Sequence, residues 1–205
     1  LRADPEREVE KAVLAERYGG DTLSDLSMGG DIKEIRRRIF QATKLPITTV
    51  PIYEAAARIG MGVMDGKDIL GVLREQAGEG VSSMVLHCTS RDLLDTLRRE
   101  KRIMGVVSKG GSITCAYMMQ TGSENPFLEN FDEVLSILRR HDIVLSLGNT
   151  MRSGCIHDSM DAAQRGEMAE NAALARRARE GGVQVIIEGI GGHVRADRLA
   201  TDIRS

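Results

Sequence analysis

The chain has 205 residues, 41% of them hydrophobic, and a formal net charge of -2 at pH 7. This composition is typical of one soluble domain with a sizeable core, and it excludes the disordered and coiled-coil classes. The 28 Lys and Arg residues nearly balance the 30 Asp and Glu residues. Because they are spread along the whole chain, they do not form the basic surface of a nucleic-acid-binding protein. We expect a small-molecule partner.

No segment of the sequence predicts membrane insertion or export. The longest apolar runs, such as Val183 to Ile187, are far shorter than the roughly 20 residues of a membrane span. The segment Leu1 to Glu10 is charged, unlike a signal peptide. Three separated cysteines, with no CxxC, argue against a disulfide framework: Cys88, Cys115 and Cys155. We expect a cytoplasmic protein whose cysteines are small buried residues.

The first elements follow a strand, turn and helix cycle. Apolar residues at helical spacing predict a helix over Glu6 to Tyr18. A short strand is predicted over Asp21 to Ser27. Asp31 with Glu34, an Asp variant of the capping box, then opens a helix that runs from Ile32 to Thr43.

The same cycle recurs along the rest of the chain. Further strands are predicted over Pro46 to Val50, Val81 to His87, Ile103 to Val107, Asp142 to Leu147 and Val183 to Glu188. Further helices are predicted over Lys67 to Gln76, Arg91 to Lys101, Phe127 to His141 and Met160 to Arg179. Because nearly every strand is followed by a helix, the pattern predicts an α/β fold with a parallel sheet.

Polar or glycine-rich clusters follow every predicted strand. A doubly wound sheet concentrates its site at one crevice, whereas a barrel draws site residues from many strand ends. We therefore predict a (β/α)8 barrel of the TIM type, of which about six βα units are present. Since eight units need about 250 residues, residues 1–205 are expected to be an incomplete catalytic domain.

Two glycine-containing segments are candidate anion sites. In Ser108 to Ser112, paired glycines let backbone N–H groups turn toward an anion and Lys109 adds a positive charge. The alternative is a glycine turn with a solvated lysine. In Gly148 to Gly154, Arg152 could grip a phosphate or carboxylate with two parallel bonds. The alternative is an exposed loop charge.

Titratable side chains end three other strands. Glu188 and His193 could bind a metal or exchange protons, although a single histidine is a weak metal signal. His87 and Tyr53 are further candidate site residues. The alternatives are that His87 is a buried histidine that hydrogen-bonds to a backbone carbonyl, and that Tyr53 only packs. The ten methionines are scattered and favour core packing over a cofactor site.

Taken together, the segments resemble one family: the radical S-adenosylmethionine enzymes of the thiamin pyrimidine synthase, or phosphomethylpyrimidine synthase, type. The resemblance covers nearly the whole chain. Its most specific stretches are Asp21 to Ser27 (DTLSDLS), Pro46 to Tyr53 (PITTVPIY), Met104 to Ser112 (MGVVSKGGS), Leu145 to Gly154 (LSLGNTMRSG) and Val183 to His193 (VQVIIEGIGGH).

The resemblance implies an enzyme that binds 5-aminoimidazole ribotide and cleaves S-adenosylmethionine with a [4Fe–4S] cluster. It also implies a homodimer, and a divalent metal, zinc or iron, at His193. It places the first barrel strand and the cluster cysteines outside residues 1–205. The implied substrate contacts are Ser24, Tyr53, His87, Ser108, Lys109, Gly110, Asn149, Thr150, Met151, Arg152 and Glu188.

The chain departs from the pyrimidine synthase pattern at residues that should touch substrate. Ser24 replaces a methionine, Lys109 replaces the arginine of Ser-Arg-Gly, and Asn149-Thr150-Met151 replaces Asp-Gly-Leu. The spacing from Glu188 to His193 has gained one residue. These departures favour the related 5-hydroxybenzimidazole synthases, which make the lower base of a cobamide. Phosphomethylpyrimidine synthesis is the alternative, and a non-catalytic ribotide-binding scaffold is the third hypothesis.

Overall fold

The computed structural model describes residues 4–189 and 193–202. Its strands form one parallel sheet in chain order, with each strand paired to the next. The strands are β1 (Leu23–Asp25), β2 (Ile47–Thr49), β3 (Ser83–Leu86), β4 (Val144–Leu147) and β5 (Val185–Ile187). The predicted α/β fold with a parallel sheet is therefore confirmed.

Helices separate the strands, and capping side chains fix where several of them begin. Asp31, Asp65, Ser90, Ser108 and Asp161 each accept a hydrogen bond from a backbone N–H of the first turn. The helices are α1 (Pro5–Arg17), α2 (Ile32–Ala42), α3 (Pro51–Arg58), α4 (Gly66–Gly78), α5 (Arg91–Arg99), α6 (Lys109–Thr121), α7 (Pro126–Glu129), α8 (Phe131–Arg140), α9 (Ala162–Glu180) and α10 (Leu199–Asp202).

The strand order bears on the choice between a barrel and an open sheet. A doubly wound sheet reverses its order at a switch point, whereas the described strands run from β1 to β5 without reversal. This order favours the barrel, and its closure remains a prediction. In the same part of the chain, no helix combines the length and apolarity that a membrane crossing requires.

The strand predicted over Ile103 to Val107 is wrong, because residues 101–107 form no strand. Two apolar side chains of this segment do not face the core, since Ile103 is 70% exposed and Met104 is 45% exposed. The carboxylate of Asp158 accepts hydrogen bonds from the backbone N–H groups of Ile103 (3.0 Å) and Met104 (2.9 Å). Those donors are thus unavailable to a neighbouring strand, and β3 pairs directly with β4.

Other boundaries also differ from the predictions. Helix α3 follows β2 at once, with Pro51 in its first turn, where proline is well tolerated. Helix α6 begins inside the segment that was predicted as a glycine loop. The single helix predicted over Phe127 to His141 is divided at Asn130 into α7 and α8.

The main core lies between the sheet and the helices that cover it. Its least exposed large side chains include Ile69, Leu73, Met84, Leu86, Met118, Phe127, Phe131 and Leu138. Met84 and Met118 are two of the ten methionines, and their burial confirms the core-packing role predicted for them. Cys88 and Cys115 are buried free thiols, and burial raises the pKa of Cys115 to about 12. Cys155 is half-buried, contrary to prediction.

A buried ion network joins α2, α3 and α4. Arg36, 1% exposed, donates to Glu54 (2.8 Å) and to Glu79 (2.6 Å). Glu54 also accepts from Gln76 (2.7 Å) and Arg58 (2.8 Å). Although burial raises the pKa of Glu54, these hydrogen bonds and the Arg36 charge hold it below its usual value. The network therefore fixes α3, which carries Tyr53.

We expect Glu54→Ala to lower the free energy of unfolding by about 3 to 5 kcal/mol, because it leaves Arg36 buried without one of its two carboxylate partners. Glu133→Ala is the control, since Glu133 pairs with Arg74 at the surface and an exposed pair contributes less than about 1 kcal/mol. Urea denaturation of both variants measures the difference. Equal losses would contradict the assignment.

Candidate functional site

The candidate site lies at the carboxyl ends of β2 to β5. Parallel strands end at the same edge of a sheet, so the residues that follow them are brought together. Tyr53 follows β2 in the first turn of α3, and His87 directly follows β3. The turn Asn149–Arg152 follows β4, and Glu188 follows β5.

His87 is at the centre of this edge and is 4% exposed. Its Nε2 lies 2.9 Å from the Ser108 hydroxyl, so its partner is a hydroxyl and not the backbone carbonyl considered above. A Cβ atom at Gly110 would lie 2.3 Å from the imidazole, and one at Gly148 would lie 2.9 Å from it. The ring is therefore held between α6 and the end of β4.

The protonation state of His87 follows from this enclosure. Burial lowers the pKa of the imidazole to about 4, and the nearby Arg152 charge acts in the same direction. His87 is therefore neutral at pH 7. Its Nδ1 is buried with no hydrogen-bond partner in the described part of the chain, so it is a polar atom that a ligand could satisfy.

Ser108 to Gly110 form a helix start and not the predicted loop. Ser108 is the N-cap of α6, and its hydroxyl accepts from the Gly111 N–H (3.1 Å). A helix N-terminus presents unpaired backbone N–H groups and a partial positive charge, which together favour an anion. Lys109 is exposed, with its Nζ 5.2 Å from the centroid of the Tyr53 ring.

Tyr53 connects this helix start to the other strand ends. The pKa of its hydroxyl is raised, mainly by burial and also by the Glu188 charge. The Arg152 charge and a hydrogen bond from the Gly110 backbone lower this pKa in part. The hydroxyl is therefore within electrostatic reach of both Arg152 and Glu188. The structure brings these predicted residues together.

The Asn149–Arg152 turn is almost wholly enclosed. Asn149 is 5% exposed, and Thr150 and Met151 are fully buried. Arg152 is half-buried, with Nη1 3.4 Å from the Asn149 carbonyl oxygen. Its Nε is buried and has no partner among the described residues, so Arg152 is not the exposed loop charge considered above. The Met151 side chain belongs to the main core, and its predicted contact with substrate stays a prediction.

Two predicted substrate contacts, Glu188 and Ser24, are not fully buried. The Glu188 carboxylate is half-buried and accepts a hydrogen bond from the Ser146 hydroxyl (2.7 Å), which orients it. Ser24 is exposed on β1. With Lys109, it lines a pocket of about 400 Å³. Two of the residues that depart from the family pattern therefore share one pocket.

His193 is exposed and has a positive φ of 61°. Its Nδ1 lies 2.8 Å from the Ser153 carbonyl oxygen. A carbonyl can only accept, so Nδ1 donates, and Nε2 is the ring nitrogen left for a metal. Within residues 4–189 and 193–202, no group of three or more His, Cys, Asp or Glu side chains could hold a metal. The metal at His193 therefore stays a prediction.

Sequence reasoning did not identify several buried polar residues that hold the site. Asn125 donates from Nδ2 to the carbonyl oxygens of His87 (2.7 Å) and Thr89 (2.9 Å), which fixes the backbone after β3. The available signal was an asparagine directly before Pro126, a pairing typical of a helix N-cap. Glu167, beneath the Asn149–Arg152 turn, had no local motif.

The sequence of this chain matches one known protein family. The sequence model described as the Radical SAM ThiC family matches residues 1–205. The chain belongs to this family. The resemblance seen in the sequence is confirmed.

Relatives in this family carry the name phosphomethylpyrimidine synthase. The protein from Methanopyrus kandleri is 45% identical over 98% of this chain and 48% of its own length. The protein from Methanocaldococcus jannaschii is 44% identical over the same shares, and the one from Dehalococcoides mccartyi is 43% identical over 96% and 47%. The chain therefore spans about half the length of these relatives.

The low pKa of His87 makes stability depend on pH. Between about pH 4 and 6.5, the unfolded imidazole binds a proton that the folded one rejects. The stability present above pH 6.5 is therefore lost as the pH falls, by about 2 kcal/mol between pH 7 and pH 5. We expect His87→Asn to remove this part of the pH dependence in urea denaturation. His141→Asn, at an exposed histidine, is the control, and an unchanged profile in His87→Asn would contradict the assignment.

Proposed function

We propose that this chain forms the ribotide-binding part of a radical S-adenosylmethionine enzyme that converts 5-aminoimidazole ribotide into phosphomethylpyrimidine. The observation that carries the proposal is the contact between the α6 N-terminus and the Asn149–Arg152 turn. A Cβ atom at Gly111 would lie 2.7 Å from Thr150 Cγ2, so two anion-binding elements meet. The names of the relatives support the product.

The ribotide phosphate would bind where these elements meet. The N-terminus of α6 supplies the partial positive charge of a helix end, which favours an anion. Arg152 adds a guanidinium whose Nε has no partner among the described residues, and Lys109 adds a second positive charge. Charge-assisted hydrogen bonds of this kind are about twice as strong as neutral ones.

The imidazole and ribose would then lie across Tyr53, His87 and Glu188. Neutral His87 offers Nδ1 for a hydrogen bond. Glu188 has one oxygen engaged by Ser146 and keeps the other to accept from a ribose hydroxyl or the substrate amine. These groups would orient the ribotide by hydrogen bonding.

The family implies S-adenosylmethionine and a [4Fe–4S] cluster, which when bound supply the 5′-deoxyadenosyl radical. The described cysteines do not fit that cluster, because Cys88 and Cys115 are buried with raised pKa values and no described group of three ligands exists. We propose that the cluster ligands lie elsewhere in the enzyme. Cytoplasmic location and a homodimer are proposed on the resemblance alone.

A second product, 5-hydroxybenzimidazole, is favoured by one structural observation. Ser24 and Lys109, both departures from the pyrimidine synthase pattern, line the same pocket. Because contacts to later intermediates decide how a rearrangement ends, joint changes in one pocket could redirect the product. The names of the relatives favour phosphomethylpyrimidine, which was the alternative in the sequence analysis, and benzimidazole formation stays a prediction.

Arg152→Ala should weaken the affinity for 5-aminoimidazole ribotide about tenfold or more, since a lost charged hydrogen bond costs about 1.5 to 3 kcal/mol. Titration calorimetry measures the change. Arg176→Ala is the control, because Arg176 is exposed on α9 and its removal changes the net charge equally. Equal affinities in the two variants would refute the phosphate assignment.

The product can be identified by mass spectrometry of the reduced holoenzyme supplied with S-adenosylmethionine and the ribotide. We expect hydroxymethylpyrimidine phosphate as the main product. A 5-hydroxybenzimidazole peak in its place would establish the second candidate, and binding without turnover would favour the scaffold hypothesis.

A further inference from the structure

The Asn149–Arg152 turn rests on a buried carboxylate. Glu167 of α9 is 2% exposed. Its Oε1 accepts from the Thr150 N–H (2.9 Å) and its Oε2 accepts from the Met151 N–H (2.7 Å). The Thr89 hydroxyl donates to Oε1 as well (2.6 Å). Glu167 therefore holds two successive backbone donors of the turn and ties them to the end of β3.

A buried guanidinium holds a backbone carbonyl group of the same turn. The Arg102 side chain is 3% exposed, and its Nη2 donates to the Met151 carbonyl oxygen (2.6 Å). Two further bonds, of 2.5 and 2.8 Å, pair Arg102 with the carboxylate of Asp161. The N–H and the C=O of Met151 are thus fixed by Glu167 and Arg102, respectively.

Burying these charges is costly, which makes a packing role alone a poor explanation. A carboxylate taken out of water destabilises the fold unless it is hydrogen-bonded. Burial raises the pKa of Glu167, and the hydrogen bonds from Thr89, Met151 and Thr150 oppose that effect. An apolar residue at position 167 would fill the space, but it would leave two buried N–H groups of the turn unpaired.

The Asn149–Arg152 turn carries a candidate ligand-binding side chain, Arg152, and this indicates the role of the buried charged groups. Arg152 directly follows the clamped residues, and Thr150 packs against the first turn of α6. A displacement of about 1 Å in a binding group can change rates about 100-fold. The orientation of Arg152 relative to the α6 N-terminus therefore depends on how rigidly residues 150 and 151 are held.

We propose that Glu167 and the Arg102–Asp161 pair are positioning residues that clamp the Asn149–Arg152 turn and so pre-organise Arg152 for a phosphate ester. The identity of that ester rests on the proposed function. Neither charged group needs to touch the ligand, because each acts through the turn.

The test uses Glu167→Gln, which keeps the shape of the side chain but offers one acceptor oxygen and turns an amide NH₂ toward the backbone donors. Glu170→Gln is the matched control, since Glu170 lies one turn later on α9 and accepts from the N–H and hydroxyl of Ser90. The first measurement is amide hydrogen exchange without ligand. We expect exchange at Thr150 and Met151 to be at least about tenfold faster in Glu167→Gln only.

The second measurement is calorimetric titration with 5-aminoimidazole ribotide. Glu167→Gln should bind about tenfold more weakly. In the double variant with Arg152→Ala, the loss should equal that of Arg152→Ala alone, because Glu167 acts through Arg152. Arg102→Lys, which keeps the charge but loses the paired geometry, should be non-additive with Arg152→Ala in the same way.

Unchanged exchange at Thr150 and Met151 would overturn the clamp, and so would additive losses in the double variants. Failure of the unaltered protein to bind the ribotide would refute the proposed function instead. In that case the exchange rates at Thr150 and Met151 still decide whether Glu167 holds the turn.

Discussion

Close approach between the first turn of α6 and the ends of β3 and β4 governs the candidate site. Gly110 and Gly148 lie against the two sides of the His87 ring, where a single added Cβ atom would overlap it. Gly111 lies equally close to Thr150. Because no side chain separates these segments, the helix N-terminus, the imidazole and the arginine turn share one small volume. Their electrostatic properties follow from that crowding.

The same crowding explains why uncharged and charged groups alternate within the site. His87 has no room for a counter-ion and is next to Arg152, so it stays neutral. Glu167 is just as buried but faces three donors, and these offset only part of the effect of burial, so its pKa stays above the usual value. Farther out, the Arg36 network anchors α3, so Tyr53 is held by ionic contacts on the far side of its helix.

Much of this arrangement is accessible from the sequence, and the exceptions have physical causes. Alternating strands and helices predict the parallel sheet, and the motifs after each strand predict most of the site, since parallel strands share an edge. The strand predicted over Ile103 to Val107 is wrong because Ile103 and Met104 are exposed and their backbone N–H groups donate to the distant carboxylate of Asp158. Sequence reasoning missed Glu167 because it belongs to no local motif. The available signal was the helical spacing of Gln164, Glu167 and Asn171, which places three polar residues on the buried face of α9.

Gly189 gives the site a further property. Its φ is +90°, and a Cβ atom there would lie 1.5 Å from Asn149 Nδ2, so the space beside residue 149 admits no change of shape. Asparagine and aspartate have nearly the same shape. The asparagine that stands where the family pattern has aspartate therefore alters the electric field at this edge without repacking it. Since Lys109 conserves the charge of the arginine in that pattern, the net charge at this edge is one unit more positive, which favours an anionic ligand.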